Sequence, residues 1–196
     1  MDEHMTVSIA VAGAAGRMGR AIIAAAAADK RFRLAGGTER TGSHALGMDL
    51  GALAGGDGFG IAAADSVHTA ATSADVWLDF TTPEATLDAL DALASTQVKA
   101  AVIGTTGLTA EQEARVTDAA KRIAIVRDRN FSLGVNLMIG LVEQVAARLR
   151  ADWDIEISEG HHRRKVDAPS GTALMIGEAA ARGRGEQLND RRVPPH

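Results

Sequence analysis

Two stretches of the chain concentrate side chains that can do chemistry. The first, Glu159 to Leu174, reads EGHHRRKVDAPSGTAL and sets five basic groups side by side (His161, His162, Arg163, Arg164, Lys165) in a protein of net charge −4. Such a cluster focuses positive potential and suits an anionic substrate. Histidine gives or takes a proton near neutral pH, and a lysine beside it donates a hydrogen bond or stabilises developing negative charge. Pro169 and Ser170 start a helix whose first N–H groups, on Ser170, Gly171 and Thr172, form an end able to hold a carboxylate. Plainer readings compete. A His-His metal site is poor, because the chain has no cysteine and no clear third ligand at a metal-site spacing. A nucleic-acid patch is poor because the rest of the chain is acidic. A solvated charge run stays open.

The second stretch is VAGAAGRMGR, Val11 to Arg20. Gly13, Gly16 and Gly19 follow an apolar run directly and open a helical one, the context of a dinucleotide-binding fingerprint. Glycine allows the tight turn and lets backbone approach a diphosphate, whose charge meets free N–H groups and the helix dipole. The spacing is G-x-x-G-x-x-G rather than G-x-G-x-x-G, so placement carries the assignment; a glycine turn that only packs helix on strand is the bland alternative. Glu39 lies 20 residues after Gly19, where an acidic side chain takes ribose hydroxyls. Arg40, beside it, suits the 2′-phosphate of NADP. Both NADH and NADPH are therefore expected cofactors, against the alternative of two solvated loop charges.

The elements needed to position these groups are legible as alternating strands and helices. Thr6 to Ala12 (TVSIAVA) suits a parallel strand covered on both faces. Met18 to Ala28 follows as an alanine-rich helix and Phe32 to Gly36 as a second strand. Asp75 to Phe80 is a strand; Thr82 as N-cap and Pro83 at the first helical position then open a helix to about Ser95. Val98 to Ile103 is a strand, Thr109 with Gln112 a capping box for a helix to about Arg122, and Ile123 to Val126 another strand. Strands alternating with helices imply a Rossmann-type, doubly wound parallel α/β sheet. The segment from Gly42 to Ala64 has weak periodicity and no assigned structure. Beyond Asn130 a helix is expected from about Asn136 to Arg150. Trp153 to Ser158 alternates apolar and polar as a half-wet strand does. Residues 1–131 thus read as a dinucleotide-binding domain and 132–196 as the beginning of a second α+β domain for substrate binding and oligomerisation.

Composition bounds the functional classes. With 46% hydrophobic and 23% charged residues, a chain of 196 can bury a core. Only 3% of residues are aromatic, which with the acidic balance argues against nucleic acid as a partner. Ala21 to Ala28 is the longest apolar run, far below the roughly 20 residues of a membrane span. No basic and apolar leader opens the chain, and no cysteine can form a disulfide, so a cytoplasmic location without membrane contact is expected.

Five segments together, VAGAAGRMGR, DFTTPEAT (Asp79 to Thr86), VIGTTGL (Val102 to Leu108), NFSLGVNLM (Asn130 to Met138) and EGHHRRKVDAPSGTAL, resemble in order and spacing the 4-hydroxy-tetrahydrodipicolinate reductases, also called dihydrodipicolinate reductases, of the diaminopimelate route to lysine. The resemblance implies NADPH- or NADH-dependent reduction of a small cyclic dicarboxylate with loss of water. It implies cofactor contacts from Gly13, Ala14, Ala15, Gly16, Arg17 and Met18, from Glu39 and Arg40, from Gly104, Thr105 and Thr106, and from Asp128, Arg129, Asn130 and Phe131. By the same carry-over His161 is the proton donor and acceptor, Lys165 the catalytic cation, and His162 with Ser170, Gly171 and Thr172 the holders of substrate carboxylates. No metal is implied. Asp128 and Arg129 stand where the family usually has small residues. Family members also continue past the position of His196, with further strands that build a homotetramer and a last helix that returns to the first domain. A non-catalytic NAD(P)-binding module, including a truncated inactive fragment, and a dehydrogenase of another small dicarboxylate are the alternatives.

Overall fold

The protein is described by a computed structural model covering residues 6–149, 152–161, 163 and 168–191. Its contacts divide into two compact units, one running to Asp128 and the other from Arg129.

The first unit is a sheet of five parallel strands with flanking helices. Strands β1 (Val7–Val11), β2 (Phe32–Gly37), β3 (Val76–Asp79), β4 (Ala100–Ile103) and β5 (Ala124–Arg127) lie in the order β2-β1-β3-β4-β5. Register is set by pairs such as Ile9 with Val76 and Val76 with Ala100, with one irregularity in the β1–β2 pairing between Ile9 and Ala10. Successive residues of β1 supply opposite layers. Ala10 joins Trp77, Leu87, Leu90 and Ile103 on one face, and Val11 joins Ile23, Leu50 and Leu53 on the other. Apart from Ser8 the run is apolar, because both faces are covered. Burying Ile23 completely contributes about 1.5–3 kcal/mol.

Six helices accompany or follow these strands: α1 (Arg17–Ala27), α2 (Leu50–Leu53), α3 (Val67–Ala71), α4 (Pro83–Leu93), α5 (Ala110–Ala119) and, in the second unit, α6 (Leu133–Arg148). The expected Thr82 cap, Pro83 start and Thr109–Gln112 capping box are all present. Helices α2 and α3 occupy stretches to which the sequence assigned no structure. The region from Gly42 to Ala64 is organised by Asp49. Its carboxylate caps α2 through the amides of Gly51 and Ala52 and also accepts those of Phe59, Gly60 and Ile61. These amide bonds, that from Phe59 foremost, hold the Asp49 carboxyl below the usual carboxylate range.

The second unit contains α6, α7 (Gly171–Gly183) and α8 (Leu188–Arg191). Helices α6 and α7 approach closely at Gly183, where a Cβ would lie 2.3 Å from the Glu143 carbonyl oxygen. Arg182 donates to Glu143 from both Nε and Nη2 at the same crossing. The strand expected over Trp153–Ser158 is absent: residues 154–161 have no regular hydrogen-bonded structure. A strand exists only when a neighbour takes its N–H and C=O groups, and no described residue of this unit does so. Trp153, Ile155 and Ile157 are correspondingly exposed. The described part of the unit is therefore helical rather than α+β. No helix among the described residues is long and apolar enough to cross a membrane.

Candidate active site

Open parallel sheets bind ligands beyond the carboxyl ends of their strands, where the strand order reverses. Here the reversal falls between β1 and β3, and the glycine turn follows β1 at that point. Gly13 has φ +62, and a Cβ there would come within 2.9 Å of Thr81 Cγ2. A Cβ at Gly19 would collide with backbone, 2.2 Å from the Gly13 carbonyl oxygen. Only glycine allows this close passage of helix over turn.

The amide of Ala14 donates to the Thr38 carbonyl and that of Gly16 to the Gly13 carbonyl, each at 2.9 Å, which fixes the turn. Helix α1 then starts from Gly16 with no side-chain cap and no acidic residue in its first turn. Helices α2 to α7 all carry a capping side chain: Asp49, Ser66, Thr82, Thr109, Ser132 and Ser170. The one uncapped positive end among them therefore lies at the switch point, beside the exposed side chains of Arg17 and Met18. The turn and the uncapped end fit a diphosphate.

Glu39 follows β2, and its Oε1 accepts the Ala15 amide at 2.7 Å. That bond holds the carboxylate beside the glycine turn, within the same crevice. Arg40 is exposed next to it.

The loops after β3 and β4 are joined by a network the sequence did not reveal. Asp79, 1% exposed, accepts the amide of Thr81 at 3.0 Å and its hydroxyl at 2.6 Å. Thr105 Oγ1 lies 3.3 Å from Asp79 Oδ1, accepts the Thr81 amide at 3.0 Å, and lies 2.8 Å from the Thr86 hydroxyl. The Thr105 side chain is thus buried and engaged within the protein and its carbonyl accepts from Arg127, leaving the amide as the part available to a ligand, whereas Thr106 is exposed. Gly104 admits the Phe80 ring, which a Cβ would meet at 2.0 Å. The run from Asp75 to Phe80 was read as a strand but carried no sign that Asp79 is a buried acceptor.

Of the segment Asp128–Phe131, Asp128 ends the first unit, its amide donating to the Ile103 carbonyl at 3.3 Å. The other three residues begin the second unit. Arg129 pairs with Glu178 at 2.6 Å, and Asn130 Nδ2 donates to Thr172 Oγ1 at 3.2 Å. Asn130 also accepts the Ser132 amide at 2.9 Å, and Phe131 is exposed. Asn130 thereby links the start of α6 to the first turn of α7.

In the basic cluster, His161 Nδ1 lies 3.2 Å from Glu159 Oε2, and Glu159 Oε1 accepts the Ser170 amide at 2.7 Å. The Ser170 hydroxyl caps α7 by accepting the Ala173 amide at 3.1 Å. The expectation that the Ser170 N–H awaits a ligand carboxylate is corrected: Glu159 already occupies it. Gly171 and Thr172, half-buried, follow at the helix start. His162 and Lys165 lie outside the described residues. Among the described residues no group of three or more His, Asp or Glu side chains is placed to hold a metal ion.

The family described as dihydrodipicolinate reductase, N-terminus, matches residues 7–131, and its C-terminal counterpart matches residues 134–194. The chain belongs to the dihydrodipicolinate reductase family. It is 49% identical to the 4-hydroxy-tetrahydrodipicolinate reductase of Ruegeria pomeroyi across 93% of this chain and 67% of that protein. It is 50% identical to the same-named protein of Parvibaculum lavamentivorans across 94% of this chain and 68% of that protein. A dipicolinate-bound dihydrodipicolinate reductase from Paenisporosarcina sp. TG-14 shares the fold with a TM-score of 0.71 at 26% identity, covering 98% of this chain and 70% of that one. The chain thus spans about two thirds of the length of these family members.

Proposed function

We propose that the chain reduces 4-hydroxy-tetrahydrodipicolinate to tetrahydrodipicolinate, a step of diaminopimelate and lysine biosynthesis, using a reduced nicotinamide dinucleotide. The hydroxylated ring gives up water and takes up a hydride and a proton. One observation carries the reading furthest: an uncapped helix start at the switch point of a chain matched by both halves of the reductase family. When bound, the reduced nicotinamide supplies the hydride.

The roles of the residues are those that the family resemblance implies, and their chemistry supports them. The turn from Gly13 to Met18 holds the diphosphate, with the main-chain N–H groups of Arg17 and Met18 as donors at the start of α1, since the amides of Ala14, Ala15 and Gly16 are bonded within the protein. Glu39 accepts hydrogen bonds from ribose hydroxyls, and Arg40 pairs with a 2′-phosphate when one is present, so both NADH and NADPH are accepted. By the family resemblance Gly104, Thr105, Thr106 and Asp128 of the first unit, and Arg129, Asn130 and Phe131 of the second, also contact the cofactor. His161 carries the proton, Lys165 stabilises negative charge on the ring, and His162, Ser170, Gly171 and Thr172 receive the carboxylates. For Ser170 the available donor is the hydroxyl, since its amide is bonded to Glu159. A soluble, cytoplasmic homo-oligomer, tetrameric as in the family, is the expected setting, and sedimentation of the purified protein measures the assembly.

The direct test is oxidation of NADH and NADPH in the presence of freshly generated substrate. Substrate-dependent oxidation with either supports the assignment; no oxidation with both contradicts it.

A further inference from the structure

We infer that Glu159 is the positioning residue of His161, fixing the ring so that Nδ1 carries a proton toward the carboxylate and Nε2 is left for proton transfer. The inference rests on the proposal that His161 moves the proton, and adds to it a residue that never touches the substrate.

The geometry makes the carboxylate a two-sided clamp. Oε1 is tied at 2.7 Å to the main-chain amide of Ser170, and Oε2 stands 3.2 Å from His161 Nδ1. Ser170 is 5% exposed and is itself locked as the N-cap of the 13-residue helix α7. The anchor is therefore a buried amide of a regular element, not a mobile side chain. Glu159 and His161 are two residues apart, with the carboxylate and the ring in contact, and Gly160 between them has open space where a Cβ would be. The protonated nitrogen of a histidine is set by the hydrogen bond the other nitrogen makes. A carboxylate can only accept, so it selects the Nδ1–H form of the neutral ring. With Nδ1 so engaged, Nε2 can cycle between acceptor and donor while the ring stays in place.

Removing the charge while keeping the shape separates this role from bracing of the helix. Glu159→Gln retains an oxygen for the Ser170 amide but turns an NH2 group toward Nδ1, which then must accept and leaves the proton on Nε2. General acid–base catalysis contributes about 10²- to 10⁴-fold, so turnover of Glu159→Gln should fall by roughly 10²-fold or more, with KM and dinucleotide Kd near the parental values. Glu159→Asp keeps the charge at shorter reach and should recover part of the loss. The structure-sensitive readout is the 15N spectrum of His161, assigned by its disappearance in His161→Gln. The parent should show the Nδ1–H tautomer and Glu159→Gln the Nε2–H tautomer, with the thermal midpoint little changed. Parental turnover, or an unchanged tautomer, in Glu159→Gln overturns the inference. A fall in turnover matched by an equal fall in thermal stability overturns it as well. If His161→Gln itself turns over like the parent, the proton role of His161 fails and the inference with it; if only Glu159→Gln does, the inference alone fails.

Discussion

Replacing Gly19 by alanine tests whether the glycine turn is built for close backbone approach to a diphosphate. The added Cβ would sit 2.2 Å from the Gly13 carbonyl oxygen and 2.8 Å from Ala14 Cα, where ordinary contact begins at 3.4 Å. Both neighbours are backbone, so the strain cannot be absorbed by a rotamer change, and the first turn of α1 must retreat by about 1 Å. Overpacking of this kind costs about 1–3 kcal/mol of stability. It also carries the amides at the start of α1 out of reach, because N–H···O bonds need about 2.7–3.2 Å. Each hydrogen bond to a charged group contributes about 1.5–3 kcal/mol, so losing one or two should weaken NADH and NADPH by at least tenfold. Fluorescence titration of the reduced cofactors measures it. Gly140→Ala is the control. It lies within α6 with no atom near the new Cβ, and should raise stability by up to about 1 kcal/mol without touching cofactor binding. Parental cofactor affinity in Gly19→Ala would refute the reasoning.

Three other outcomes are expected. Glu39→Ala should weaken NADH most and Arg40→Ala should weaken NADPH alone, read as separate Kd values; equal effects on both cofactors would contradict the assigned contacts. Asp79→Ala removes the acceptor of the Thr81 and Thr105 hydroxyls and should lower stability by about 1–3 kcal/mol in denaturant titration. The Asp49 carboxyl titrates below its ordinary 3.8 in the folded chain, so its stabilising effect is complete above that pH and is lost as pH falls through the lower folded value. Asp49→Asn should therefore melt below the parent at neutral pH, and the gap should close in acid; a gap independent of pH would count against the charge.

What was legible in the sequence was whatever backbone chemistry restricts to one residue type. Gly13 and Gly19 can only be glycine where a helix crosses its own turn, and Thr109 with Gln112 closes a box that few pairs can close. The strands of the first unit were legible because a sheet covered by helices demands short, mostly apolar runs. Helix α3, five residues under a Ser66 cap, is too short to show a period, and the bonds of Asp49 to Phe59, Gly60 and Ile61 join residues ten or more apart along an irregular loop. Alternation over Trp153–Ser158 marked an amphipathic face but not a partner, and pairing rather than pattern makes a strand. At the candidate site the residue types of the basic cluster were legible. That Glu159 holds His161 and takes the Ser170 amide was not, because it depends on how the chain returns to the start of α7.

The central claim is that a glycine turn holds the cofactor while His161 moves the proton. Steady-state kinetics with freshly generated substrate, paired with cofactor titration, test it most directly in His161→Gln. The account predicts a fall in turnover of about 10²-fold or more with NADH and NADPH affinities unchanged. Parental turnover, or a loss of cofactor binding equal to the loss of activity, would contradict it.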